Sequence, residues 1–275
     1  LQVRQFFLKY GNNKKKFNYK LGRFAVLEAG SVYLDGAQVG LKAFRYWSFT
    51  GFAGLNPKQE VQGNLEFESK AINKGLSVLY FKKKSKQGGY YYFANAIVEQ
   101  TYDSEVDRRF LYNNSIYQPD NYHRLSSLLY FDMVPTPKIQ NLWLNYWQYL
   151  KNNYSYNLTV NRVDVIEYSR RQGIRETLPD SAFDQLRIKV KHKKKRGITT
   201  HYILSHGQRA VDGLSKTVAQ MGWNFSRFYK KKINSYINLG YKKNFTSNDI
   251  YTKFGIGYFS KDWEYSIDQE LILED

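Results

Sequence analysis

Short segments in which apolar and polar residues alternate recur along the whole chain. The clearest one covers residues 233–241, where a mainly apolar set alternates with a polar or small set: Ile233, Ser235, Ile237, Leu239 and Tyr241 against Asn234, Tyr236, Asn238 and Gly240. Because successive side chains of a strand point to opposite faces, this pattern is typical of a β-strand with one apolar face. No long amphipathic helix is evident, so the alternation predicts an all-β fold.

Further segments repeat the pattern, clearly near residues 63–70, 124–133, 185–191, 219–226 and 250–258 and less regularly elsewhere. The less regular strands are predicted at Val39–Ala53, Leu76–Phe81, Tyr90–Tyr102, Leu142–Leu150, Tyr156–Tyr168, Thr199–His206 and Glu264–Leu273. Polar, often lysine-rich connections separate them. The sequence therefore predicts one antiparallel, meandering domain over residues 1–275. The predicted number of strands is about 14, with a margin of two or more strands either way.

Aromatic residues favour a membrane barrel over a soluble sandwich. They make up 17% of the chain, with 25 Tyr, 18 Phe and 5 Trp. Several lie near segment ends on the apolar faces, as Trp223, Phe225, Tyr241 and Tyr258 do. Transmembrane barrels turn an apolar face to lipid, a polar face to the lumen, and carry aromatic girdles at both interfaces. No apolar run is long enough for a transmembrane helix, so we expect an integral β-barrel of a bacterial (Gram-negative) outer membrane.

A short motif near the amino terminus resembles outer-membrane porins of the alginate-export type. It consists of Leu21-Gly22-Arg23, Gly30, Asp35-Gly36-Ala37-Gln38-Val39 and Phe49-Thr50-Gly51-Phe52-Ala53-Gly54. In that family a strand ends in Gly-Arg, a glycine-bearing excursion follows, and Asp-Gly opens the next strand. Asp35-Gly36 is also typical of a tight hairpin turn. Many outer-membrane barrels end on an aromatic residue, whereas this chain ends on Leu273-Glu274-Asp275.

The formal net charge of +18 predicts anionic partners. Lysine runs at Lys82–Lys84, Lys193–Lys195 and Lys230–Lys232 adjoin alternating segments, so we expect exposed turns at the barrel rims that bind anionic headgroups or an acidic partner. Solvated turns without a ligand are the simpler interpretation. The parity of the strand count, which decides whether these runs share one end of the barrel, does not follow from the pattern.

Cations on the polar faces are the candidate pore residues. The predicted lumen-lining set is Arg124, Arg187, Lys189, Lys191 and Lys253. Such residues make anion-preferring pores, although pairing with carboxylates across the lumen is an equally good interpretation. A second candidate is a possible anion-binding loop formed by Arg170, Arg171 and Arg175 around Gly173.

The sequence favours a channel over an enzyme. No cysteine is present, and the four histidines show neither a serine-base arrangement nor metal-ligand spacing, so we expect no catalytic residue, metal or cofactor. The predicted function is passage of small polar or anionic solutes, with membrane lipid and other envelope proteins as partners and no nucleic acid. A barrel that anchors partner proteins is the alternative, and a soluble, basic, nucleic-acid-binding β-protein is a distant one.

Overall fold

A computed structural model of the chain describes residues 5–11, 15–57, 67–84, 88–134, 136–164, 182–194, 197–227, 232–259 and 264–274. These residues form one antiparallel sheet of 16 strands in which each strand neighbours the next one along the chain. The only described helix is the 3-10 turn Leu27–Ala29. The fold is therefore all-β with almost no helix, as the alternation predicts.

The strands are numbered in chain order. They are β1 Phe6–Tyr10, β2 Phe17–Val26, β3 Val32–Phe44, β4 Trp47–Pro57, β5 Phe67–Lys84, β6 Gly89–Tyr102, β7 Glu105–Gln118, β8 His123–Val134, β9 Lys138–Tyr149, β10 Tyr154–Val163, β11 Phe183–Lys193, β12 Ile198–Arg209, β13 Ser215–Arg227, β14 Ile233–Lys243, β15 Asn248–Phe259 and β16 Glu264–Glu274.

The 16 described strands lie within the predicted range of about 14 with a margin of two or more. Two details differ from the sequence-based prediction. The single strand expected at Val39–Ala53 is two strands, β3 and β4, joined by a tight turn after Phe44. Asp35 and Gly36 do not form a hairpin turn, because both lie inside β3, where Asp35 pairs with Arg23 and Gly36 pairs with Gly22 of β2.

That Arg23–Asp35 pair gives the Gly-Arg and Asp-Gly motif a structural role. Arg23 Nε donates to Asp35 Oδ1 and Arg23 Nη2 donates to Asp35 Oδ2, each over 2.7 Å. A bidentate bond of this kind fixes orientation as well as distance. The motif therefore sets the register between β2 and β3.

The chain divides into two compact units. Unit 1 comprises residues 1–121, 125–144 and 162–179, and unit 2 comprises residues 122–124, 145–161 and 180–275. Strands β1–β7 lie in unit 1 and β11–β16 in unit 2, while β8, β9 and β10 contribute to both.

In unit 1, the short β2–β3 connection folds over one face of the sheet. Its 3-10 turn contacts β5, β6 and β7, and an apolar cluster forms between them: Phe24, Val26, Ala29, Val32, Leu34, Phe52, Ala96, Val98, Phe110, Tyr112 and Tyr130. Gly30 has φ 75° and Tyr130 donates from Oη to its carbonyl oxygen at 3.1 Å. A side chain at Gly30 would be strained and would collide with that ring. We call this surface the covered face of unit 1.

A buried ion pair lies beside this cluster. Arg108 donates from Nε to Asp132 Oδ1 at 2.7 Å, and Gln140 donates from Nε2 to Asp132 Oδ2 at 2.9 Å. The side chains of Arg108 and Asp132 are each 2% exposed, and the guanidinium lies over the Phe110 ring at 4.4 Å. Such a pair is stable only while both charges remain hydrogen-bonded.

Candidate functional site

In unit 2 the two faces of the sheet differ in chemistry. One face, here called the apolar face, exposes large apolar side chains from every strand of unit 2 between β11 and β16 except β13: Leu186 and Ile188 of β11, Tyr202 and Leu204 of β12, Leu239 and Tyr241 of β14, Ile250, Phe254 and Ile256 of β15, and Ile267, Leu271 and Leu273 of β16. Residues of the other face include the buried polar side chains His201, Ser205 and Asp249. This distribution is the reverse of that in a soluble protein, where the apolar face of a sheet is buried and the polar face is exposed.

The polar face is built by cross-strand register. Lys191 pairs with His201, His201 with Gly222, Gly222 with Asn238, and Asn238 with Lys253. The neighbouring row runs Lys189, Ile203, Gln220, Gly240 and Tyr251. Because paired residues of an antiparallel sheet share a face, these rows place the side chains of five strands on one surface. We call this surface the polar face of unit 2.

Strand β11 carries a column of positive charge along the polar face. Arg187, Lys189 and Lys191 alternate along the strand, so their Cα atoms are separated by about 7 Å. Arg187 and Lys191 are exposed and Lys189 is half-buried. No carboxylate within the described part of the chain forms an ion pair with any of the three. The column therefore presents positive charge that is free to attract an anion.

Acidic groups on the same face are already engaged. Glu270 Oε2 accepts from Lys253 Nζ at 3.0 Å, and Asp268 Oδ1 accepts from Tyr236 Oη at 2.6 Å. Asp249 Oδ2 lies 3.7 Å from Lys242 Nζ. These carboxylates therefore neutralise the β14 to β16 side of the face and leave the β11 column positive.

Polar side chains lean across the sheet where glycine leaves room. Tyr251 donates from Oη to Gln220 Oε1 at 3.0 Å, and its ring crosses Gly240, where an added Cβ would lie 2.5 Å from Cζ. The Nε2 atom of Gln220 also lies 3.3 Å from the Nε2 atom of His201. The resulting network links Tyr251, Gln220 and His201 across four strands.

Replacing Gly240 with Leu is expected to destabilise the fold by about 1–3 kcal/mol, because the new side chain displaces Tyr251 and breaks its bond to Gln220. Ser235→Leu on the same strand is the control, since Ser235 belongs to the apolar face. Urea unfolding followed by tyrosine fluorescence measures both. Equal unfolding midpoints would show that Tyr251 does not need the space above Gly240.

The structure brings only some of the predicted pore residues together. Arg187, Lys189 and Lys191 lie side by side, and Lys253 lies in the Lys191 row but is paired with Glu270. Arg124 lies at the start of β8 and is exposed. Arg170, Arg171 and Arg175 lie outside the described residues, so the anion-binding loop stays a prediction.

Sequence reasoning missed the hydrogen-bonded members of the polar face. The alternation predicts Gln220 and Tyr251 on the polar faces of their strands, but it gives no hydrogen-bond partner for them or for His201. His201 is 6% exposed and lies between two side-chain amides. Its Nε2 atom lies 3.3 Å from Gln220 Nε2, and its Nδ1 atom lies 3.4 Å from Asn224 Nδ2. The alternation places all of these residues on the polar face, but only the register shows which of them meet.

No group of three or more histidine or acidic side chains among the described residues is arranged to hold a metal ion. No described helix is long and apolar enough to cross a membrane. No family profile, curated protein or solved structure matches the chain.

Proposed function

We propose that the chain is an integral β-barrel of a bacterial outer membrane whose polar face lines a passage for small polar or anionic solutes. The observation that carries the proposal is the apolar face of unit 2. Leu204 and Leu271, for example, are 53% and 58% exposed. Exposed apolar surface of this extent is unfavourable in water but favourable against lipid.

The dimensions of unit 2 support a membrane location. Strands β11 to β16 contain 11 to 13 residues, and about 9–11 tilted residues cross a bilayer. On β15 the apolar face runs from Ile250 to Tyr258, which is about 27 Å along the strand. At a tilt of about 40° this corresponds to about 20 Å of depth, close to the apolar band of about 25 Å in known barrels.

Closure of the sheet into a barrel is part of the proposal. A sheet of 16 strands in simple chain order is the topology of an up-and-down barrel. In lipid, an open edge would leave a row of backbone groups without hydrogen bonds, at a cost of several kcal/mol per group. We therefore expect β1 and β16 to pair in the membrane.

The positive column on β11 gives the proposed passage an anion preference. Neutralising Arg187, Lys189 and Lys191 together to Gln is expected to reduce the preference for chloride over potassium severalfold, because these charges have no described carboxylate partner. The reversal potential in a salt gradient across a planar bilayer measures this preference. Lys82→Gln/Lys83→Gln/Lys84→Gln removes the same charge elsewhere and serves as the control. An unchanged reversal potential in the β11 variant would contradict the assignment.

One observation favours a second function, that of an anchor for partner proteins. In unit 1 the face that would line a lumen is covered by the β2–β3 turn and packed with apolar side chains. A lumen filled in this way would not conduct. The same bilayer recording decides between the two functions, since folded, inserted protein without conductance supports the anchor.

A further inference from the structure

The net positive charge of unit 1 is concentrated at one end of its strands. We define the odd-to-even end as the end where an odd-numbered strand connects to the following even-numbered strand. The described cations at this end are Lys15, Lys16, Lys42, Arg45, Lys82, Lys83 and Lys84. The one described carboxylate at this end of unit 1 is Asp120.

At the opposite end of unit 1 most described cations lie in ion pairs with carboxylates, and Glu105 and Asp107 add further negative charge. The described pairs are Arg23–Asp35, Lys70–Asp103, Lys74–Glu99, Arg109–Glu99, Arg108–Asp132 and Lys138–Asp164. No ion pair between described residues involves Lys15, Lys16, Arg45 or the run Lys82–Lys84. The two ends of the same strands therefore differ in their free positive charge.

A layer of aromatic rings lies directly beside these cations. Tyr10 stacks on Tyr19 at 5.4 Å, and Trp47 packs on Tyr80 at 4.9 Å. Further ring pairs at this end are Tyr46–Tyr80, Phe81–Tyr90 and Tyr91–Tyr117. The layer and the cations are in contact, since Lys15 Nζ lies 4.5 Å from the centre of the Tyr10 ring and Lys82 Nζ lies 5.2 Å from that of Tyr46.

Unit 2 repeats the arrangement at its own odd-to-even end. Lys151, Lys193, Lys194 and Lys232 are exposed there, in or beside the connections that follow β9, β11 and β13. Tyr154 stacks on His192 with ring centres 4.1 Å apart, and Lys232 Nζ lies 5.8 Å from the Tyr258 ring centre. Glu264 is the described carboxylate at this end, whereas Asp184, Asp212, Asp249 and Glu274 lie at the other.

We propose that the odd-to-even end of each unit binds the headgroups of anionic phospholipids, an inference that rests on the proposed membrane location. Tyrosine and tryptophan rings lie at the headgroup level of membrane proteins, with the ring in the apolar zone and the polar group in the wet one. Lysines immediately beyond them meet the phosphates, and each lysine near an anionic surface strengthens association. An acidic protein would be attracted by the cations but would not require the aromatic layer.

The test is lipid binding by the full-length protein folded in neutral detergent. Fluorescent phosphatidylglycerol and fluorescent phosphatidylcholine are titrated separately, and the ratio of their affinities is the readout. Lys83→Gln/Lys84→Gln is expected to lower the affinity for phosphatidylglycerol about 30-fold and to leave that for phosphatidylcholine unchanged. The matched control, Lys216→Gln/Lys243→Gln, removes two lysines from the opposite strand ends of unit 2 and is expected to change neither affinity.

Each other outcome overturns the inference. Equal affinities of the wild-type protein for the two lipids would show that the cations do not recognise the headgroup charge. An equal loss in the control variant would reduce the effect to net charge alone. Full displacement of phosphatidylglycerol by equimolar inorganic phosphate would indicate a free-phosphate site, and displacement by polyglutamate at low concentration would indicate an acidic protein partner. Flotation with vesicles after a carbonate wash tests the membrane location separately, so the two proposals fail independently.

Discussion

Leu239→Arg is expected to destabilise the membrane-inserted protein by about 2–4 kcal/mol, whereas Asn238→Arg on the same strand should be tolerated. Leu239 lies in the middle of the apolar face, in the row of Met221 and Thr252, and Asn238 belongs to the polar face. A charge facing hydrocarbon has no water or partner, while a charge on the lumen side remains hydrated. Equilibrium urea unfolding in lipid vesicles measures both variants.

The same pair of variants separates a membrane protein from a soluble one. Leu239 is 43% exposed, and in water a substitution at such a surface position changes stability by no more than about 0.5 kcal/mol. If the two variants unfolded at the same urea concentration as the wild-type protein, the apolar face would not contact lipid.

Asp132→Ala is expected to destabilise unit 1 by about 3–5 kcal/mol, because it leaves the buried Arg108 guanidinium without its carboxylate. It also removes the acceptor for Gln140. The control is Asp103→Ala, which breaks an ion pair with Lys70 whose two side chains are 56% and 67% exposed, and which should cost less than about 1 kcal/mol. Urea midpoints measure both. Similar losses in the two variants would show that the Arg108–Asp132 pair is solvated rather than buried.

The strand pattern was predictable because alternation is a local property of the sequence. Residues 233–241 alternate over almost the whole of β14, and the assignment of Asn238 and Gly240 to the face opposite Ile237 and Leu239 agrees with the register. The position of a tight turn was harder to predict. The pattern predicts one strand over residues 39–53 because the turn residues Arg45 and Tyr46 are neither glycine nor proline.

Long-range features were not predictable from local pattern. The short β2–β3 connection gave no sign that it would fold over β5 to β7, because its apolar residues could equally have continued a strand. Asp35-Gly36 has the composition of a turn, but cross-strand pairing with Arg23 places it inside β3. The strand that each lysine run follows depended on the strand count, and the chain order now places Lys82–Lys84 after β5 and Lys193 and Lys232 beside the connections that follow β11 and β13. Lys195, Lys230 and Lys231 lie outside the described residues.

The central claim is that the apolar face of the sheet contacts lipid, and an accessibility scan of β14 tests it most directly. The chain contains no cysteine, so single Cys substitutions at residues 236–239 and 241 can each carry a spin label. In vesicles, labels at Ile237, Leu239 and Tyr241 should relax with membrane-dissolved oxygen, and labels at Tyr236 and Asn238 with a water-soluble nickel complex. Equal accessibility of all five labels to the nickel complex would contradict the claim.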